Sequence, residues 1–237
     1  MGRGPSIEGR KSVEDSKRAK VFTKFIREIT VAARTGSDPA GNPRLRLAVD
    51  RALSANMPKD TIERAIKRGS GTEAGQQMEE IRYEGYGPGG VAILVDCMTD
   101  NPTRTVAEVR NVLSKNGGHM GSAGSVAFQF SSRGELRFDS SLEEKILEVA
   151  IDAGADDVLT EGQNCVVYTS SNRFHAIRQA LQAAGFNAKQ GDVVLRPASY
   201  VALNEAAAAP LKELLERLEE LDDVQDVHHN AEFSAPA

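Results

Sequence analysis

Residues 134–197 switch between two hydrophobic periods in an order that few folds accept. Alternation of period two marks strands at 135–139, 157–159, 165–169 and 192–196. Spacing of three and four marks helices at 142–153 and 173–184. Strand, helix, strand, strand, helix, strand is the β-α-β-β-α-β order of a split βαβ domain, complete within one segment. Any architecture for the whole chain has to accommodate this unit.

The flanking segments supply a second, incomplete set. A Gly-rich turn, Gly85 to Gly90, leads into the apolar run Val91-Ala-Ile-Leu-Val95, which reads as a core strand. A helix at 105–115 follows, with Val106, Val109, Val112 and Leu113 inward, and residues 125–130 alternate as a further strand. The missing pieces lie in the tail: Leu211, Leu214, Leu215, Leu218 and Leu221 stripe a helix, and 224–233 reads as a last strand. The expected fold class is α+β: an N-terminal three-helix domain, then two ferredoxin-like (split βαβ) domains, one inserted into the other. The expected boundaries are 1–77, 78–133 with 198–237, and 134–197.

The N-terminal part is written for helices. Phe22, Phe25, Ile26, Ile29 and Ala33 recur at helical spacing and form one apolar stripe. Lys17, Lys20, Lys24, Arg27 and Arg34 also recur at helical spacing, and at about 100° per residue they centre on the opposite side. Asn42 followed by Pro43 signals a helix start, with Leu45, Ala48, Val49 and Ala52 inward and Arg44, Arg46 and Arg51 at its surface. A third helix starts at Pro58, buries Ile62, Ala65 and Ile66, and carries Lys59, Arg64, Lys67 and Arg68 outside; Gly69 is expected to stop it. Residues 1–10 read as a flexible arm, with Ile7-Glu-Gly-Arg10 matching a protease site used in cloning, and 70–77 as a linker.

Charge divides along the same line. The net charge of −5 combines 16 Lys+Arg and 8 Asp+Glu in residues 1–72, net +8, with 13 and 26 in the remainder, net −13. A patterned basic module joined to acidic ones points to a polyanion partner for the first, nucleic acid above all. The twelve cations Lys17, Lys20, Lys24, Arg27, Arg34, Arg44, Arg46, Arg51, Lys59, Arg64, Lys67 and Arg68 are the expected contacts. Lys and Arg rows give phosphate contacts, hence affinity and salt dependence, without reading sequence. Glu213, Glu216, Glu219, Glu220, Asp222 and Asp223 either solvate the last helix or mark a surface for a basic protein partner.

Other classes find less support. The apolar runs are too short to span a bilayer, and no apolar core follows the early arginines as in a secretory signal. Cys97 and Cys165 stand in apolar runs without Cys or His at ligand spacing, as buried reduced thiols do in a cytoplasmic protein. The glycines at 85–90 have no Lys-Ser/Thr ending and open no helix, so they fit a tight turn and not a phosphate loop. Asp96 with Asp100, and Asp152 with Asp156 and Asp157, sit in turn chemistry, and no nucleophile, base and orienting group occur together. Neither catalysis, a cofactor, a metal nor a small-molecule substrate is expected.

Several runs carry a resemblance. Lys20-Val-Phe-Thr-Lys-Phe-Ile-Arg-Glu-Ile-Thr-Val-Ala-Ala-Arg34, Asn42-Pro-Arg-Leu-Arg-Leu-Ala48, Asn56-Met-Pro-Lys-Asp60 and Glu63-Arg-Ala-Ile-Lys-Arg-Gly69 resemble the YebC/PmpR family of probable transcriptional regulators. Tyr83-Glu-Gly-Tyr-Gly-Pro-Gly-Gly-Val91, Arg104-Thr-Val-Ala-Glu-Val-Arg110 and Lys115-Asn-Gly-Gly118 extend the likeness into the middle of the chain. The opening, Met1-Gly-Arg-Gly-Pro-Ser-Ile7, departs from the Trp-containing start of many members. The resemblance implies a three-domain cytoplasmic DNA-binding regulator. Through a mitochondrial translational activator among the relatives, it also implies an alternative: a translation factor bound to the ribosome or RNA.

Overall fold

The computed structural model describes residues 7–71 and 78–233, with side chains from Arg18 onward. The start of the expected arm, residues 72–77 of the expected linker and the side chain of Lys17 lie outside the described residues. Helix α1 (Ile7–Ala32) already includes residues 7–10, so the expected arm is helical there. A 3-10 turn (Ala33–Thr35) ends it. Helix α2 (Pro43–Ser54) starts as its sequence dictates, with the Asn42 side chain accepting from the Leu45 amide at 3.1 Å and Pro43 at the first position. Helix α3 (Lys59–Ser70) follows Pro58.

These three helices close a hydrophobic core of their own. Ile29, Ala32, Ala33, Leu45, Ala48, Ala52, Met57, Ile62 and Ala65 are buried in it, and Phe22, Phe25, Ile26, Val49 and Ile66 pack against it. Gly69 does not stop α3; it lies inside the last turn, where α3 crosses α1. A Cβ there sits 2.8 Å from the Ala33 Cβ and 2.9 Å from the Thr30 carbonyl carbon. Because one of those neighbours is helical backbone, it cannot yield. Alanine in place of glycine inside a helix ordinarily gains about 1 kcal/mol. Gly69→Ala is instead expected to lose about 2–3 kcal/mol, the cost of prising the helices apart. Urea unfolding of the full chain checks the sign.

The next strands are β1 (Glu79–Tyr86) and β2 (Ala92–Thr99), joined through a 3-10 turn (Pro88–Gly90). Gly89 has φ 75°, and the Gly87 and Gly90 amides are spent on Val91 and Gly87 carbonyls, so the glycines serve the turn. Helix α4 (Pro102–Lys115) is capped by Asn101, whose side chain accepts from the Arg104 amide. After β3 (His119–Met120) the expected strand at 125–130 is replaced by a loop with a 3-10 turn (Ala127–Gln129). Its backbone is claimed by one carboxylate. Buried Glu84 accepts from the Gly124 amide at 2.7 Å, the Val126 amide at 2.6 Å and the Ala127 amide at 2.8 Å.

The inserted unit runs β4 (Phe130–Asp139), α5 (Glu143–Asp152), β5 (Asp157–Glu161), β6 (Asn164–Ser170), α6 (Phe174–Ala183), β7 (Gln190–Pro197). Its sheet has the order β5-β6-β4-β7, and the pairs β4–β6, β4–β7 and β5–β6 are antiparallel. That is the split βαβ topology expected for the segment. The register sets Leu136 opposite Val167 and Gly191, and Phe138 opposite Cys165. The chain ends with β8 (Val201–Ala202), α7 (Glu205–Glu219), β9 (Val224–His229) and β10 (Ala231–Glu232). Strands β8 and β10 pair in parallel, and the second four-stranded sheet has the order β3-β1-β2-β9.

By packing, the chain forms two compact units. Of the described residues, one contains 7–71, 78–83, Leu94–Met120 and Ala209–Val227; the other contains Glu84–Ile93, Gly121–Ala208 and 228–233.

Candidate nucleic-acid interface

Of the cations expected on one face, Lys20, Lys24 and Arg27 of α1 have acceptors within the first unit. The last four carbonyls of a helix lack intrahelical partners and form the negative end of its dipole. At the end of α7, Lys24 Nζ donates to the Glu219 carbonyl and Lys20 Nζ to the Glu220 carbonyl, each at 3.2 Å. Arg27 Nη1 donates to the Asp222 carbonyl at 2.7 Å, the Met98 carbonyl at 3.1 Å and Asp223 Oδ1 at 3.1 Å. Burial pulls the Lys24 ammonium below its ordinary value, against the opposing pull of Asp226 and Glu219.

Most of the other cations of α1 and α2 are similarly engaged. Arg34 donates to the Met78 carbonyl, and Arg44 makes a two-pronged pair with Glu80. Arg46 ties down the Pro39 and Ala40 carbonyls, and Arg51 pairs with Glu28 at 3.1 Å.

Helix α3 differs. Lys59, Arg64, Lys67 and Arg68 are exposed along its outer side. Arg64 donates only to its own helix, to the Asp60 carbonyl and the Thr61 hydroxyl. Lys59, Lys67 and Arg68 have no hydrogen-bond or ion-pair partner among the described residues. Two carboxylates share this exposed surface, Asp60 and Glu63, against four cations. Asp60 lies in the first turn, where the helix dipole favours an anion. The structure thus sorts the expected cations into a group with internal acceptors and a group on α3 that faces solvent.

Both halves of the chain match family models. Residues 4–72 match the TACO1/YebC protein N-terminal domain, and residues 78–231 match the TACO1/YebC second and third domain. The chain belongs to the TACO1/YebC family. A probable transcriptional regulatory protein of Methylococcus capsulatus is 55% identical over 97% of this chain and 94% of its own length. Another, from Stenotrophomonas maltophilia, is 54% identical over 100% and 99%. The crystal structure of a conserved hypothetical protein from Aquifex aeolicus superposes with a TM-score of 0.81 at 42% identity, covering 94% of this chain and 93% of that one. The Methylococcus and Stenotrophomonas relatives are both named probable transcriptional regulatory proteins.

The acidic residues of this TACO1/YebC chain are structural to a degree that sequence did not signal. Asp223 was expected to solvate α7 or face a partner, yet it is buried and accepts from Arg104 at 2.8 Å, Thr105 at 2.9 Å, Thr99 at 3.2 Å and Arg27. Its one legible hint is position, directly before the apolar start of β9. Asp96 and Asp100 pair with Arg82 and Arg104. Among the described residues no three His, Cys, Asp or Glu side chains group as a metal site, and no helix is long and apolar enough to cross a membrane. Burial, with the nearby Asp96 charge, pushes the Cys97 thiol up to about 12, far from reactivity.

Burial pulls the Asp223 carboxyl upward, but hydrogen bonds from Arg104 and Thr105 and the Arg104 charge outweigh it and hold it below the usual range. A lowered folded value stabilises the native state above the unfolded value of about 3.9, and that stabilisation fades as pH falls towards the folded one. Asp223→Asn is expected to cost about 2 kcal/mol at neutral pH, tempered by the half-exposed Arg104. The gap from wild type should close below about pH 4. Urea midpoints measured from pH 7 to pH 3 check this; a gap constant with pH would contradict it.

Proposed function

We propose that the chain is a nucleic-acid-binding regulator of transcription that engages duplex DNA through its N-terminal helical domain, residues 1–77. The remaining segments, 78–133 with 198–237 and 134–197, form the acidic bodies of the protein, working with it in the cytoplasm. One observation carries the reading: the outer face of α3 holds Lys59, Arg64, Lys67 and Arg68 exposed, with no ion pair to any of them among the described residues. Those four make the first phosphate contacts. The cations with internal acceptors, Lys20, Lys24, Arg27, Arg34, Arg44, Arg46 and Arg51, are secondary candidates, as is Lys17. Such a surface supplies affinity without base readout, so sequence preference has to come from few residues or from DNA shape.

The names of the relatives support transcription as the process. The phosphate chemistry itself is shared by duplex DNA and structured RNA, so both enter the test. Fluorescence anisotropy with labelled duplex DNA, and with an RNA hairpin as competitor, compares wild type with a variant neutralised on α3. Binding carried by α3 and won by the duplex supports the proposal. A hairpin preferred at physiological salt would move the site to RNA, and binding indifferent to α3 would remove it from this helix.

A further inference from the structure

We infer that the cationic face of α1 and the end of α7 form a latch that a polyanion opens; the inference rests on the nucleic-acid reading above. The hydrophobic core of the three N-terminal helices is complete without any residue from beyond Ile66. What joins α1 to the α7 end is Lys20 and Lys24 on the Glu220 and Glu219 carbonyls, and Arg27 on Asp222 and Asp223. In the outermost pair, Lys20 Nζ stands 3.9 Å from Asp222 Oδ1 with side chains 55% and 82% exposed. The Lys20 and Lys24 contacts are of the weak, salt-screened kind and open at small cost, whereas Arg27, on buried Asp223, stays in place.

A polyanion has reason to open them. In the closed form any phosphate approaching Lys20 or Lys24 also meets Glu219, Glu220, Asp222 and Asp226, which repel it. The α1 cations are therefore screened from nucleic acid while latched. The α3 face needs no such release, because its cations make no ion pair among the described residues. A polyanion captured on α3 raises the local phosphate concentration and competes for Lys20 and Lys24. Release exchanges carbonyl acceptors for phosphates and adds two cations to the binding surface. The chain then has a closed form of modest affinity and an open form of higher affinity.

The Lys20–Asp222 ion pair reports the state directly, because a zero-length carbodiimide couples an ammonium only to a carboxylate in contact. Wild-type full-length protein is treated at low salt with and without a saturating short duplex DNA, and the Lys20–Asp222 peptide is quantified by mass spectrometry. The expected result is a coupled peptide in the free protein that falls by about fivefold or more when duplex is bound. An unchanged yield with duplex demonstrably bound overturns the latch and leaves the DNA-binding reading standing. No duplex binding at all overturns both. In a second arm, Asp222→Lys repels Lys20 and Arg27, whereas Glu213→Lys makes the same charge change elsewhere on α7. Asp222→Lys should bind duplex about fivefold more tightly than Glu213→Lys. Equal affinities overturn the latch.

Discussion

Glu84→Ala is expected to unfold about 3–5 kcal/mol more easily than wild type, the largest effect of any single surface-neutral change in the second unit. The side chain is buried, and its two oxygens accept from three backbone amides of the 124–127 loop. Backbone amides bonded to a carboxylate make charge-assisted hydrogen bonds, and each buried amide left without an acceptor costs about 1–3 kcal/mol. Water entering the vacated space recovers part of that, which sets the upper figure. The Gly121 amide on the Glu84 carbonyl and the Tyr86 hydroxyl on the Ser125 carbonyl survive the change, so the loop loosens without detaching. Glu84→Gln should lose roughly half as much, since its amide group can replace only one acceptor oxygen. Urea unfolding, together with hydrogen exchange at Gly124, Val126 and Ala127, reads both variants. A loss under about 1 kcal/mol for Glu84→Ala would show that the carboxylate does not hold the loop.

Neutralising the α3 face should remove most DNA affinity. The variant Lys59→Gln, Arg64→Gln, Lys67→Gln, Arg68→Gln keeps helix propensity nearly constant and touches no buried residue. Each phosphate neutralised by a cation releases about 0.9 of a counterion, which at 0.1 M salt is worth close to a factor of ten. Four such contacts give an upper bound near 10⁴, and because Asp60 and Glu63 share the surface, a loss of at least about 10²-fold is expected. Unchanged thermal unfolding by circular dichroism separates this from loss of structure. A matching variant with Lys20→Gln and Lys24→Gln should lose less, because it removes two cations instead of four and those two must first give up their contacts with the α7 end.

The parts of the fold legible in sequence were those fixed locally. Asn42-Pro43 announces α2 through a cap that its own neighbours complete, and the strand and helix periods of 135–196 gave the order that the antiparallel sheet then realises. Illegible parts depend on distant partners. The alternation Ser125, Val126, Ala127, Phe128 imitates a strand, but the Val126 and Ala127 amides are taken by Glu84, some 40 residues earlier, and the Ser125 amide by the Ser122 carbonyl. Gly69 has the look of a helix stop because glycine serves there so often; its reason is the close crossing with Thr30. The basic row of α1 was visible as charge, while its acceptors lie nearly 200 residues away at the end of an acidic helix. For the candidate interface, sequence could name the cations but could not separate the engaged from the exposed, since that depends on which carbonyls face each one.

The central claim, that the exposed cations of α3 bind phosphates, is tested most directly by the salt dependence of duplex affinity for full-length wild type and the four-Gln variant. The account predicts a plot of log affinity against log salt with a slope at least as steep as about −3 to −4 for wild type, flattened in the variant by nearly one for each cation removed. Parallel lines of equal slope for the two proteins, with both folded, would contradict it.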